Sequence, residues 1–420
     1  MSDHSTLTRK QRIQNALWGL FIGDALAMPA HWYYNVSNIP KYFNGPVDGY
    51  ENPPHPHVEA FMIGTKFQPD VEKAKQLGRK YDILHEHVKF YDTTYNNFSI
   101  KRGRQEGEHG NAVPEESERY HYHHGLKAGD NTRNAQLIRV LMRSVVRQGR
   151  YDPDSFLDDF VEYLTTPGNC RDPYAEEYLR AWFENYSRGM PAKLCAEFQR
   201  NNWSVGSHSG MTGPMVLSML FSNTYKGSGI ALQHQNLTHR SENVVSALQV
   251  ALPLMAELLQ GNDPFDAIVR NAGKLYLPEI TGRELYKKYR DHNGPGNIPK
   301  AEMWRLHTTY RKEPWDIESF TKKYGQDEVI VDILATACYP EHGLPLLLYL
   351  MLKNNLGFRG SLLANVNAGG DNVHRGMVMG LLLGAASNII PEDLVKGLTA
   401  FEKLQEEIEA FSEIASKNQK

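Results

Sequence analysis

The sequence predicts an all-α protein, a compact multi-helix domain carrying one long irregular insertion. Three observations lead there: apolar residues recur at helical spacing along most of the chain, alternating runs of the strand type are few, and turn-forming residues crowd into a single region. Residues 12–28 form the first amphipathic pattern, in which Gly19 and Gly23 allow a neighbouring backbone to come close. Residues 134–148 place Leu137, Ile138, Leu141, Met142, Val145 and Val146 on one stripe. Helical patterns follow at residues 155–165, 174–185, 212–222, 242–260, 263–275, 327–337, 344–353 and 373–386. Pro391, followed by Glu392 and Asp393, opens a last helix with the acidic first turn that the helix dipole favours. One domain over residues 10–417 is expected. Residues 35–118, rich in proline, glycine and aromatic residues, have no clear period; they read as an insertion or lid over a site, or equally as a plain surface excursion.

Composition narrows the function. Hydrophobic residues make up 41% and charged residues 23%, which suits a packed core rather than a disordered chain. Lys and Arg number 46 against 49 Asp and Glu, a net charge of −3, so the broad basic excess of a nucleic-acid binder is missing. Apolar runs fall short of the roughly 18 residues of a membrane span, so neither nucleic acid nor a membrane is an expected partner. Cys170, Cys195 and Cys338 are odd in number and far apart, which reads as reduced thiols. The N-terminus imitates a signal peptide, but Asp24 interrupts its apolar stretch, and a cytoplasmic location is expected.

One short phrase occurs twice. Gly129-Asp130-Asn131-Thr132-Arg133 precedes one apolar helix, and Gly370-Asp371-Asn372-Val373-His374-Arg375 precedes another. Asp and Asn are ordinary helix N-caps, and that alone would explain either phrase. Two such carboxylates brought together could instead hold a hard divalent cation or line a shared cavity. Nine of the 17 histidines fall between His31 and His124, yet no motif at zinc-ligand spacing accompanies them.

In series these residues resemble the ADP-ribosylglycohydrolase family, which includes the dinitrogenase-reductase-activating glycohydrolases and the J1 crystallins. Residues 19–29 (GLFIGDALAMP) resemble its N-terminal motif, and Gly129-Asp130-Asn131-Thr132 is similar to its Thr-Asp-Asp-Thr phrase. Gly369-Gly370-Asp371-Asn372-Val373 is similar to its C-terminal Gly-Gly-Asp-Thr-Asp. Residues 206–214 resemble its glycine-rich middle loop, and Thr238-His239 its Thr-His before a long helix. The resemblance implies an all-α fold, cleavage of an N- or O-glycosidic bond of an ADP-ribosyl or related nucleosidic substrate, and two magnesium ions held by aspartates. Here Asp130 and Asp371 remain of four such aspartates, Asn131 offers only an amide oxygen, Val373 offers nothing, and His31 stands where some members carry an acid. One Mg2+ on Asp130, Asn131 and Asp371 is therefore expected rather than two, with a rebuilt, metal-free site as the alternative.

On this reading the catalytic candidates are Asp130, Asp371, His31 and His374, the carboxylates as water-activating base or charge stabiliser and the imidazoles as proton carriers. Trp32 and Tyr33 are candidates for stacking on a planar ligand, Gly369 and Gly370 for close backbone approach to it, and His239 for substrate contact. The expected partner is a small-molecule or ADP-ribosylated substrate. A non-catalytic ADP-ribose binder and a crystallin-like structural protein are the alternatives.

Overall fold

The computed structural model describes residues 7–57, 67–87, 120–197, 206–222, 224–291, 302, 305–306 and 308–417. Among these the regular structure is helical, and the only bridge of strand type is an isolated pair, Pro278 with Tyr310. The principal helices are α1 (Arg9–Ala27), α2 (Arg133–Gln148), α3 (Pro153–Thr165), α4 (Glu177–Ser187), α5 (Ser209–Ser218), α6 (Thr224–Thr238), α7 (Glu242–Leu259), α8 (Pro264–Ala272), α9 (Pro340–Lys353), α10 (Phe358–Asn367), α11 (Asn372–Ala386) and α12 (Phe401–Lys417).

Helix α1 starts at a capping box, in which Thr8 accepts from the Gln11 backbone while the Gln11 side chain accepts from the Thr8 backbone. It then runs antiparallel to α11 at backbone contact. A Cβ added to Gly19 would stand 1.9 Å from the Gly380 carbonyl oxygen, and one added to Gly23 would stand 2.2 Å from that of Gly376. A Cβ on Gly384 would meet the Asn15 carbonyl at 2.1 Å. The four-residue step on both helices is the ridge spacing of close helix packing, and glycine removes the ridge altogether. Both helices are buried along this seam, with Leu17, Leu20, Phe21, Met377, Leu381 and Leu382 fully enclosed.

Around this pair, α7 and α9 complete the core. Helix α7 is long and apolar enough to cross a membrane by composition, but Val244, Leu248, Ala251, Leu254, Met255 and Leu258 are fully buried in the protein. Helix α2 is anchored to α12 by Arg139, whose guanidinium donates to both carboxylate oxygens of Glu407.

The structure departs from the sequence reading in several places. Residues 327–337 are helical only as far as Ile333, where a wide turn (Val329–Ile333) ends, and Leu334 is extended. The extended stretch is fixed by its carbonyls: Thr336 O accepts from the Asp371 backbone and from Arg375. Helix α5 begins three residues earlier than the 212–222 pattern and carries Pro214 inside. The C-terminal segment is a short helix, Glu392–Lys396, followed by α12. Much of residues 35–87 packs onto the domain: Val47 and Asn367 exchange hydrogen bonds, Tyr50 donates to the Leu394 carbonyl, and Ile39 and Ile83 are buried. Residues 58–66 and 88–119, which include just under half of the expected lid, lie outside the described residues.

The glycine seam is testable. Gly19→Ala or Gly380→Ala should destabilise the protein by about 1–3 kcal/mol or more in chemical denaturation, because the added methyl meets backbone that cannot yield. Gly229→Ala, where a Cβ meets nothing within 4 Å, should be neutral or stabilise α6 by up to about 1 kcal/mol. Equal effects at the two kinds of position would count against backbone contact as the constraint.

Candidate functional site

The end of α1 and the start of α11 bring together residues more than three hundred positions apart. Beyond α1 the chain pairs with the loop before α11: Trp32 N donates to Gly370 O, and Gly370 N donates to Tyr33 O. Gly369 and Gly370 both take positive φ (61° and 65°), and a Cβ on either would lie 2.1 Å from a carbonyl, of Tyr33 and Thr336 respectively. These two glycines serve the close approach of the protein's own backbone. Arg375, fully buried, ties the same loop by donating to Asn365, Thr336 and Gly369, and desolvation lowers its pKa to about 10.

Asp371 is the N-cap residue of α11, but its side chain caps no helical N–H. The carboxylate faces imidazoles instead. His31 Nε2 is 3.1 Å and His374 Nδ1 2.7 Å from Oδ1, and His208 Nδ1 is 3.6 Å from Oδ2. All four residues are at most 1% exposed. His208, at the start of α5, fits because Gly343 on α9 leaves room; a Cβ there would overlap its ring. His31 continues the network through Nδ1 to His123 Nε2 (2.8 Å), and His123 Nδ1 reaches Asp172 Oδ1 (2.8 Å). On the other side, His374 Nδ1 is 3.6 Å from Glu176, and its Nε2 is 2.5 Å from the Asn134 amide.

Electrostatics sort these groups. Burial alone would raise the Asp371 carboxyl, but the charge of His374 and the imidazoles of His208 and His31 outweigh it and hold the carboxyl well below its usual range. Burial would lower His374, yet Asp371 and Glu176 lift it to about 9. For His31, burial wins over its bond to Asp371 and the pKa falls to about 3. Burial likewise raises Asp172, and the neighbouring His123 more than reverses that.

The structure does not bring Asp130 into this group. Its carboxylate accepts from Arg171 (2.6 Å), the Thr399 hydroxyl (2.5 Å) and the Lys127 backbone (2.9 Å). Asn131 turns the other way, its amide donating to Phe21 O and to Asp24. Neither Asp130 nor Asn131 caps α2; that work falls on carboxylates from elsewhere in the chain. Asp24 accepts from Thr132 N (2.8 Å) and Oγ1 (2.6 Å), and Asp172 from Arg133 N (2.7 Å). Desolvation raises the Asp24 pKa even against those bonds.

The aromatic candidates are packed rather than open. Trp32, in the left-handed region at φ 61°, stacks on His31 with ring centroids 3.7 Å apart and meets Tyr122 and Tyr174 edge-on. Tyr33 is buried with its hydroxyl 3.2 Å from His57. His239 bonds Ser209 and Thr238 and lines a cavity of about 40 Å³ with Asn134 and Tyr178, space for about one water. His208, His123, Asp172 and Glu176 were not singled out from sequence. His123 lay in a noted histidine run and His208 in the glycine-rich segment, but no spacing rule connects either to Asp371.

Among the described residues, one ligand atom each from His31, Asp371 and His374 lie within 4.8 Å of one another, a group able to hold a metal. Its donors are two imidazoles and one carboxylate, and Val373 is buried and without a donor. A pair of magnesium ions, which need oxygen ligands in octahedral array, does not fit that set.

A profile of the ADP-ribosylglycohydrolase family matches residues 5–420. A solved structure described as an ADP-ribosylglycohydrolase-related protein complex superposes with a TM-score of 0.52 at 16% identity, covering 97% of this chain and 99% of that one. At that identity the likeness is one of fold. No match is found among curated proteins.

Burial holds several histidines neutral, and this predicts acid sensitivity. His57, His234 and His239 are each lowered from 6.5 to about 3, chiefly by desolvation. Their depressed values mean that the unfolded chain takes up protons first. The stability they contribute is complete above pH 6.5 and is lost as pH falls towards 3. Each such proton steepens the loss by about 1.4 kcal/mol per pH unit. Urea denaturation at pH 7, 6 and 5 should show a slope of two protons or more, and a flat profile would contradict neutral burial. Separately, Asp24→Ala should cost about 3 kcal/mol or more by stranding the Thr132 and Asn131 donors, measured as a lower denaturation midpoint with unchanged slope.

Proposed function

The chain belongs to the ADP-ribosylglycohydrolase family, and from that premise we propose that it is a hydrolase that cleaves an N- or O-glycosidic bond of an ADP-ribosyl or related nucleosidic substrate. The observation that carries the reading is Asp371, a buried carboxylate at the mouth of α11 that makes no cap bond and is surrounded by imidazoles. Such bonds break through an oxocarbenium-like transition state, which needs negative charge beside the anomeric carbon, a water to attack it and a proton for the leaving group. Asp371, held ionised by its neighbours, supplies the charge. Glu176, on the far side of His374, takes the part of second carboxylate that sequence reading gave to Asp130. The chain of contacts from Asp172 through His123 and His31 offers a route for a proton to or from the Asp371 side.

Asp130, paired with the exposed Arg171, takes no direct part in the chemistry on this reading. The three free cysteines support a reducing compartment, and we read the protein as cytoplasmic.

The test is release of ADP-ribose from a panel of ADP-ribosylated proteins and small ADP-ribosyl compounds, followed by chromatography. Asp371→Asn should lower turnover by about 10²-fold or more with the fold intact, while Asp130→Asn should cost less than about tenfold. Tight binding of ADP-ribose without turnover of any substrate would replace the hydrolase reading with that of a binder. Full activity in Asp371→Asn would remove the site assignment.

A further inference from the structure

We propose that His31, His374 and Asp371, with His208 alongside, form a binding site for a single divalent transition-metal ion of the zinc class, in place of the magnesium that hard aspartate ligands would select. This deepens the reading of the same buried group and rests on it, but it is read out by binding alone.

Three observations carry it. First, the contact between His374 Nδ1 and Asp371 Oδ1 is only 2.7 Å long, yet that nitrogen has no hydrogen bond. The two atoms crowd together without an N–H aimed at the oxygen, as donors do when they converge on a common point. Second, both nitrogens of His208 and Oδ2 of Asp371 are buried without a hydrogen-bond partner, 3.6 Å apart across Nδ1 and Oδ2. Stranding three polar atoms in one place is costly unless something binds them.

Third, the contacts behind His31 are those of a supported ligand. The chain from Asp172 to Asp371 has three contacts, Asp172–His123, His123–His31 and His31–Asp371. His31 Nδ1 is turned to His123 and His31 Nε2 to Asp371, on the side where the His374 ligand atom also lies. A metal ion at that point completes the set, with the far nitrogen of His31 donating to His123 and that of His123 to a carboxylate. Ligating histidines are commonly oriented in just this fashion.

The donor set selects the ion. Two imidazoles and one carboxylate suit zinc, iron, nickel or copper, whereas magnesium favours oxygen and retained waters. The motif positions read here as Asn131 and Val373 offer no carboxylate, and His31 and His374 beside Asp371 offer nitrogen instead; a bound ion would supply positive charge and Lewis acidity to the buried centre.

Full-length protein stripped with chelator should bind Zn2+ at one equivalent by calorimetry, with Mg2+ failing to compete at a hundredfold excess. His31→Ala and His374→Ala should each weaken binding by about tenfold or more. His55→Ala, an exposed histidine, should leave it unchanged and so exclude adventitious surface sites. Should a variant fail to fold, Co2+ bound to the unaltered protein serves instead. Its visible absorption should be that of a low-coordinate nitrogen and oxygen site, with paramagnetically shifted signals from two imidazoles. Failure of the folded protein to bind Zn2+, equal loss in His55→Ala, or preferential Mg2+ binding would overturn the proposal. Zinc binding without turnover would leave it standing while removing the hydrolase reading.

Discussion

The meeting of α1 and α11 backbone to backbone is the constraint from which the rest of the architecture follows. Glycines at four-residue steps let the two helices approach until carbonyl oxygens occupy the places where Cβ atoms would be. The seam does not stop where the helices do. Asn372 Nδ2 donates to Ala30 O, and the Trp32–Gly370 and Gly370–Tyr33 bonds carry the pairing into the loops. His31 and Asp371 are therefore placed by one rigid, continuous contact rather than by independent loops, and a site held to fractions of an ångström needs such support. Asp24 extends the same logic sideways. From the last turns of α1 it caps α2, so the helix carrying Asn134 is located relative to the seam as well.

Periodicity made the long helices legible because their buried stripes are strong, as in α2 and α7. It also marked Gly19 and Gly23 as points of close approach, though a single chain pattern could not name Gly380 and Gly376 as the surfaces approached. It misjudged residues 327–337 because Val329, Ile330 and Ile333 have a helical stripe, while the segment beyond is pulled straight by the hydrogen bonds that Thr336 makes to α11. Helix α6 escaped notice since its glycines, glutamines and serine blur any apolar face.

The site divides along the same line. Residues next to a motif, His31, Asp371 and His374, could be picked out because the motif names its neighbours. His208, His123 and the neighbouring Asp172 and Glu176 arrive from three other places in the chain, and only the packed structure brings them near. Asp130 illustrates the opposite hazard. A Gly-Asp-Asn phrase ahead of a helix looks like its twin at Asp371, yet one carboxylate is spent on Arg171, Thr399 and a local backbone N–H while the other makes no cap bond at all. The phrases are alike, and tertiary partners decide what each does.

The exchange of acids for imidazoles also bears on how closed this centre can be. Several carboxylates gathered in one place repel each other and must stay near water or near cations, since each unpaired buried charge carries a penalty of several kcal/mol. Here a single carboxylate among three imidazoles brings that burden down to one negative charge, with His374 at hand to balance it. Glu176 and Asp172 stand one layer further out, each against an imidazole or the Asn134 amide. The centre can then sink to complete burial under Trp32, whose ring lies flat on His31. For the hydrolase proposed above, a centre buried this completely means that substrate reaches Asp371 only when something in that cover moves. That cover includes Trp32, held at φ 61° by its bond to Gly370 and by the rings of His31, Tyr122 and Tyr174.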